Sequence, residues 1–255
     1  MRFASLGSGS KGNALLVEQG TTRILLDCGF GPREATTRLA RLGCSPERLS
    51  GILITHEHSD HIAGAFALAS RYRLTLWMSH GAFSASRAKE HGGLSVKLVD
   101  SHESFSVGDL EIQPFPVPHD AREPIQFTFS DGDSHLGVLT DLGCATPHVE
   151  EMLSGCKALV LECNHDKKML FSGDYPHALK QRIAGRLGHL DNESAAALLG
   201  AIDVSRLQHV IAAHLSQQNN TPSLARQSLA SALGCSETWI GVACQDAGFG
   251  WRTIL

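Results

Sequence analysis

The segment Thr55-His56-Glu57-His58-Ser59-Asp60-His61 decides which fold and which chemistry this sequence predicts. The apolar residues 51–55 before it predict a strand, and residues 62–72 after it predict a helix. Three imidazoles and one carboxylate therefore crowd the carboxyl end of a strand. Imidazole nitrogens and carboxylate oxygens suit zinc and related divalent ions, and these four groups can serve two ions from one loop. A solvent-exposed loop that is merely rich in histidine is the alternative.

One loop cannot complete two coordination shells, so further ligands must come from other strand ends. His119 follows the apolar run that ends at Pro118, Asp141 follows the predicted strand 136–140, and His214 follows the predicted strand 210–213. These three residues are the remaining candidate ligands. The chain has 14 histidines, and those without such a position are interpreted as structural: His80, His91, His102, His135, His148 and His209.

Asp27 also ends a predicted strand, in the run Leu25-Leu26-Asp27-Cys28-Gly29. We expect its carboxylate to accept hydrogen bonds from the ligand loop and so to fix the orientation of the imidazoles. A turn-forming aspartate before glycine is the alternative.

Patterns typical of strands and of helices alternate along the whole chain, which predicts the α/β class. A helix over residues 33–42 stops at Gly43, and another begins with Thr221 as N-cap and Pro222 at its first position and ends before Gly234. With 255 residues, 42% hydrophobic content and no low-complexity stretch, the chain is expected to form one domain over residues 1–255.

Composition excludes several classes of protein. The net charge of −4 argues against a protein that binds DNA along its whole surface, but it leaves room for a local basic groove. The seven cysteines form no C-x-x-C pair and are interpreted as reduced, small apolar residues. Without a signal-peptide pattern or a long apolar run, the chain is expected to be cytoplasmic and not membrane-bound. Helical basic residues could line a groove, although spaced cations are more often solvated: Arg33, Arg38, Arg41, Lys180, Arg182 and Arg186.

The candidate ligands in sequence order, His56-x-His58-x-Asp60-His61 followed by His119, Asp141 and His214, resemble the ligand set of the metallo-β-lactamase superfamily. The resemblance covers nearly the whole chain and implies a four-layered αββα sandwich. It also implies two divalent ions, for which this ligand chemistry suits zinc or manganese, with iron as an alternative. One ion would be held by His56, His58 and His119, the other by Asp60, His61 and His214, with Asp141 bridging them.

Four further segments carry polar residues suited to an anionic substrate: residues 7–13, 162–166, 188–192 and 214–222. They supply backbone N–H groups, neutral side-chain donors and a helix N-terminus. Together they resemble the YycJ (WalJ) group of the superfamily, which is described as acting on DNA as exonucleases. The residues expected to bind substrate are Ser8, Ser10, Asn13, Asn164, Ser216, Asn219 and Asn220.

This resemblance implies a phosphodiester hydrolase, specifically a nuclease similar to 5′-3′ DNA exonucleases, in which a hydroxide bridging two metal ions attacks phosphorus. Asp60 would ligate a metal and orient the hydroxide. His165 or His189 would protonate the leaving oxygen or hold a terminal phosphate. Asp191 departs from the group, where a small hydroxyl residue is expected, and its carboxylate would repel phosphate.

Only 72 residues separate Asp141 from His214, too few for the large domain that the RNase J and cleavage-factor branch inserts there. Two alternatives to a nuclease stay open. One is hydrolysis of a small molecule, namely a thioester, a lactone or a cyclic phosphodiester. The other is a non-catalytic sensor or partner protein that keeps the fold.

Overall fold

The computed structural model describes residues 1–86, 88 and 93–255, so His91 lies outside the described residues. Two mixed sheets contain seven strands each in this described part. The first sheet contains β1 (Arg2–Gly7), β2 (Ala14–Gln19), β3 (Thr22–Leu26), β4 (Gly51–Leu53), β5 (Thr75–Ser79), β6 (Ser95–Val99) and β14 (Phe249–Thr253). The second contains β7 (Phe105–Val107), β8 (Leu110–Pro116), β9 (Ile125–Ser130), β10 (His135–Leu139), β11 (Ala158–Glu162), β12 (His209–Ala213) and β13 (Gly241–Val242).

Helices flank the two sheets. The helix predicted over 33–42 is confirmed with small shifts at its ends, and Gly234 ends the last helix with φ 60°. Among the described residues, no helix has both the length and the apolar composition that crossing a membrane requires. The helices are α1 (Pro32–Arg41), α2 (Ser59–Ile62), α3 (Ala65–Tyr72), α4 (His80–Ala85), α5 (Pro147–Leu153), α6 (Lys167–Ser172), α7 (His177–Ile183), α8 (Asn192–Ala201) and α9 (Pro222–Leu233).

Strand residues alternate between two apolar layers. In β2, Leu15 and Val17 pack between the sheets, whereas Leu16 packs toward the helices of the first half. A strand places successive side chains on opposite faces, so one strand serves both layers. A third apolar layer lies between the second sheet and its helices and includes Leu159 and Leu198. The predicted α/β class and the αββα order of layers are confirmed.

Both sheets have the same pairing pattern. In the first, the pairs from β14 through β1 and β2 to β3 are antiparallel, and those from β3 to β6 are parallel. In the second, the pairs from β7 to β10 are antiparallel, and those from β10 to β13 are parallel. Parallel strands end at the same edge of a sheet, so the loops that follow β3, β4, β10, β11 and β12 are brought together at sheet edges.

The two ends of the chain meet. β14 follows the second sheet in sequence but pairs with β1, with Phe3 opposite Arg252. Arg38 of α1 donates through Nη1 to the backbone carbonyls of Gln245 at 3.1 Å and Asp246 at 2.8 Å. The last segment therefore closes against the first half of the chain.

Candidate metal centre

Three residues that follow strand ends have a left-handed backbone: Asp27 at φ 59°, Asp141 at φ 57° and His214 at φ 55°. Arg73 is the fourth such non-glycine residue in the described part of the chain. This conformation costs a non-glycine residue about 1–3 kcal/mol, so it persists only where the surrounding structure fixes it. Here it turns three strand ends sharply at the place where the predicted ligands meet.

The first group of ligand atoms belongs to His56, His58 and His119, and these atoms lie within 4.8 Å of one another. Nδ1 of His56 lies 2.9 Å from Oγ1 of Thr55. Nδ1 of His119 donates to the carbonyl oxygen of Gly188 at 3.0 Å, and its Nε2 lies 3.3 Å from Nδ1 of His58. The outer ring nitrogens of His56 and His119 are thus held by the protein, and the inner nitrogens of the three rings converge.

The second group consists of Asp60, His61 and His214. Nδ1 of His61 donates to Oδ2 of Asp27 at 2.8 Å, so Nε2 is the ring nitrogen that faces the other ligands of the group. Oδ2 of Asp60 lies 3.4 Å from Nε2 of His61 and 3.4 Å from Nε2 of His214. The structure therefore places the Asp27 carboxylate in direct hydrogen-bond contact with the His61 ring.

Asp141 lies between the two groups. Its Oδ2 is 2.7 Å from Nε2 of His61, and its Oδ1 is 3.2 Å from Nδ1 of His214. It forms one possible metal-binding set with His56 and His61 and another with Glu162, His189 and His214. A single buried carboxylate therefore reaches ligands of both groups.

The donor set fits divalent metal ions. Among the described residues, the cationic partners within 4 Å of the Asp27, Asp141 and Glu162 carboxylates are all histidines. Nε2 of His56 is buried without a hydrogen-bond partner in this part of the chain. Buried carboxylates need compensating positive charge, and imidazole with carboxylate is a ligand combination of zinc and manganese.

The pKa shifts show how the imidazoles and carboxylates of the centre influence one another. Burial lowers the pKa values of His56 and His119, which favours the neutral imidazole. Burial also opposes the charged form of His61, but the Asp141 and Asp27 carboxylates outweigh it and hold that pKa well above its usual value. The same balance, led by Asp141, raises the pKa of His214 to about 9. Because metal ligands must be deprotonated, binding of a metal ion by His61 and His214 would be coupled to release of protons.

Glu162 is a part of the centre to which the sequence assigned no role. It is the last residue of β11 and is fully buried. Its Oε2 accepts from the backbone N–H groups of Leu142 at 2.7 Å and Leu190 at 3.1 Å. Its Oε1 lies 2.8 Å from Nδ1 of His189 and 3.1 Å from Nδ1 of His214. One carboxylate therefore ties together three loops, and its position at a strand end is the signal that could have identified it.

Several predicted substrate-binding side chains are committed to bonds within the protein. Oγ of Ser8 accepts from the backbone N–H of His214 at 2.9 Å, and Nδ2 of Asn164 donates to the His214 carbonyl at 3.1 Å. Nδ2 of Asn220 donates to the Cys163 carbonyl at 2.7 Å. These contacts fix the loop that carries His214.

Asn13 lies at the metal centre itself. Its Nδ2 is 3.3 Å from Oδ2 of Asp60 and 3.1 Å from Nε2 of His61. Ser10, in the same turn, is exposed. The turn therefore combines one side chain directed at the ligands with one open to solvent.

His165 and Asn219 are buried, and each keeps a polar atom without a hydrogen-bond partner in the described residues, Nε2 and Nδ2 respectively. Burial lowers the pKa of His165, so its ring is neutral. Ser216 is half-buried, and its Oγ accepts from the backbone N–H of Asn219 at 3.1 Å. Nε2 of His165 and Nδ2 of Asn219 are therefore buried polar atoms whose hydrogen-bonding capacity is unused in the described residues.

Asp191 is the N-cap of α8. Its Oδ1 accepts from the backbone N–H groups of Glu193 and Ser194, each at 2.9 Å. The helix N-terminus that the sequence offers to an anion is therefore occupied by the protein's own carboxylate.

Gly29 lies against the backbone of Asp60. A Cβ atom added there would be 1.9 Å from the Asp60 carbonyl oxygen. We expect Gly29→Ala to displace Asp60, to lower kcat by at least about tenfold and to cost about 1–3 kcal/mol of stability. Hydrolysis rates and thermal unfolding measure both effects. The matched control is Gly31→Ala, because a Cβ there meets nothing within 4 Å. A wild-type rate for Gly29→Ala would contradict the link to Asp60.

Known proteins share this architecture. The family model described as "Beta-lactamase superfamily domain" matches residues 22–211. The chain is 35% identical to the exodeoxyribonuclease YycJ of Bacillus anthracis over 91% of this chain and 89% of that protein. It is 33% identical to the exodeoxyribonuclease WalJ of Streptococcus pneumoniae over 94% and 91%. The metallo-β-lactamase fold protein YhfI from Bacillus subtilis superposes with a TM-score of 0.74, at 15% identity and 99% coverage of both chains.

Proposed function

Because the chain belongs to the metallo-β-lactamase superfamily, and within it to the family of YycJ and WalJ, we propose that it is a metal-dependent exodeoxyribonuclease. The observation that carries the proposal is the pair of ligand groups at the strand ends with Asp141 within reach of both. A phosphodiester places its charge on oxygens that such a centre can stabilise.

We propose that the centre holds two divalent ions, zinc or manganese, with iron as the alternative. Nε2 of His56, Nδ1 of His58 and Nε2 of His119 would hold one ion. Asp60, His61 and His214 would hold the other, and Asp141 would contact both. Such ions supply Lewis-acid stabilisation of phosphoryl oxygens and lower the pKa of water.

The protein's own part in this chemistry is to fix the ligands. Asp27 holds the His61 ring, and the carbonyl of Gly188 holds the His119 ring. The Asn13 amide lies beside the carboxylate of Asp60 and limits its rotation. Residues that orient ligands in this way support metal affinity and activity.

We assign His189 the role of proton donor to the leaving oxygen. Its Nδ1 lies 2.8 Å from Glu162 Oε1 and 3.0 Å from Asp141 Oδ1, so Nε2 points away from these carboxylates. The His189 side chain is 23% exposed, which allows a substrate oxygen to reach it. The polar atoms of His165 and Asn219 that lack partners in the described residues are assigned to substrate, together with Ser10 and Ser216.

Residues 1–255 are proposed to act as one catalytic domain on cytoplasmic DNA. The pairing of β14 with β1 supports this, because it joins the last residues to the half that carries the His56 loop. Ser8, Asn164 and Asn220 are proposed to support this domain by holding loops.

Metal removal tests the proposal. Protein loaded with zinc or manganese is expected to contain two ions per chain and to degrade end-labelled DNA, with a chelator abolishing the activity and metal restoring it. Mass spectrometry of the metal content and gel analysis of the products measure this. Bis-p-nitrophenyl phosphate and a small thioester serve as comparison substrates. If the protein hydrolyses the thioester and leaves the DNA uncleaved, the nuclease is excluded and a small-molecule hydrolase is favoured.

A further inference from the structure

We propose that residues 167–188, here called the basic arm, bind the single-stranded DNA that leads into the metal centre; this rests on the proposed function. The arm contains α6 and α7. It carries five cations, Lys167, Lys168, Lys180, Arg182 and Arg186, and one acid, Asp174, in a chain whose formal net charge is −4. Positive charge is therefore concentrated in one short segment.

The arm is anchored on both sides of the centre. At its beginning, the backbone N–H of Asp166 donates to the carbonyl of Asn219 at 2.8 Å, on the loop that follows His214. At its end, the backbone N–H of Asp120 donates to the carbonyl of Leu187 at 3.0 Å, and Asp120 is the neighbour of His119. The arm therefore spans from the His214 loop to the His119 loop.

The arm is not explained by the apolar core. Its α7 has no buried residue, and Leu170 is the buried residue of α6. Phe171 is 49% exposed and Leu187 is 53% exposed, and these are two of the five large apolar side chains that the described residues expose. α7, a helix without a buried face, gains little stability from packing, so its charges, together with the exposed Phe171 ring of the preceding α6, point to a ligand.

The charges of the arm are only partly neutralised. Lys167 pairs with Glu193 at 3.0 Å, and Arg182 pairs with Asp120 at 2.6 Å. Nζ of Lys180 donates to the carbonyls of Phe171 and Gly173 and has no acidic partner in the described residues. Within this part of the chain, the exposed side chains of Lys168 and Arg186 also lack a carboxylate partner.

This combination matches one kind of ligand. Unneutralised cations attract the phosphates of a DNA strand, and an exposed aromatic ring offers a surface on which an unpaired base can stack. A duplex keeps its bases paired and would leave Phe171 unused. Single-stranded DNA therefore satisfies both features of the arm.

The test uses the metal-loaded Lys168→Glu/Arg186→Glu variant and a short single-stranded oligonucleotide. We expect KM for this DNA to rise at least about tenfold, and the slope of log kcat/KM against log salt to become shallower by about 1.4, because two phosphate contacts are lost. Turnover of bis-p-nitrophenyl phosphate, which is too small to reach the arm, should stay within about twofold and so reports an intact centre.

Matched controls separate a specific effect from a general change in charge. Arg48→Glu/Arg252→Glu makes the same charge change at exposed positions away from the ligand loops, before β4 and in β14, and should leave the KM for DNA unchanged. Phe171→Ala should raise this KM about tenfold, and Phe171→Tyr, which keeps an aromatic ring, should restore it.

The outcomes distinguish the two proposals. If wild-type protein cleaves DNA and the Lys168/Arg186 variant shows an unchanged KM and salt slope, the arm proposal is wrong and the nuclease stands. If wild-type protein cleaves bis-p-nitrophenyl phosphate but no DNA, the proposed function fails and the arm proposal fails with it. An equal loss in the Arg48/Arg252 control would also overturn the arm proposal.

Discussion

Asp60→Ala protein should fold normally and lose at least about a thousandfold in kcat, equivalent to about 4 kcal/mol of transition-state stabilisation. Oδ2 of Asp60 lies 3.4 Å from Nε2 of both His61 and His214, so its removal opens one of the two ligand groups. The side chain is 21% exposed, and its loss leaves no large buried cavity. Circular dichroism checks the fold, cleavage of end-labelled DNA measures kcat, and the metal content reports on the opened ligand group.

Asp203→Ala is the control for this variant, because Asp203 is an exposed aspartate on the loop between α8 and β12. Its rate should match wild type. If the Asp60→Ala protein keeps full activity in buffer of defined metal concentration, Asp60 has no role in the mechanism. A reduced rate with an unchanged content of two ions would instead give Asp60 a role in orienting the reactants.

Glu162→Ala should destabilise the protein by about 3–5 kcal/mol, because it leaves buried partners of a carboxylate unsatisfied. The loss would free the backbone N–H groups of Leu142 and Leu190 and the rings of His189 and His214. Metal affinity should fall by about 10- to 100-fold, as expected when a group that orients ligands is removed. Thermal unfolding and metal titration measure these effects.

Glu162→Gln tests the role of the charge alone, because the glutamine oxygen can still accept from the backbone N–H groups of Leu142 and Leu190, whereas the negative charge beside the two imidazoles is lost. We expect stability between that of wild type and Glu162→Ala. Glu111→Ala, at an exposed position on β8 in the same sheet, is the control and should change stability little. If Glu162→Ala binds metal with the affinity of wild type, the three loops keep their positions without the Glu162 carboxylate.

Much of this architecture could be predicted because the ligand types are rare and their positions regular. The His56 loop, Asp141 and His214 all follow apolar runs, and the structure places them together. The alternation of strands and helices also predicted the class. The pairing pattern, which is the same in both sheets, explains why strand and helix patterns alternate along the whole chain.

Other features leave no local pattern. α7 has no buried residue, so it lacks the apolar period by which a helix is recognised. The left-handed backbone of Asp27 and Asp141 is imposed by tertiary contacts and cannot be predicted from a residue type that rarely adopts it. Glu162 does carry a local signal, its position at a strand end, but only the tertiary structure shows that three loops bond to it.

The candidate ligands come from both halves of the chain, which β14 joins by pairing with β1. The amino-terminal half supplies His56, His58, Asp60 and His61, and the remaining ligands come from the other half, so neither half could saturate an ion alone. A chain cut between the two halves is therefore expected to hold metal weakly until the halves reassemble.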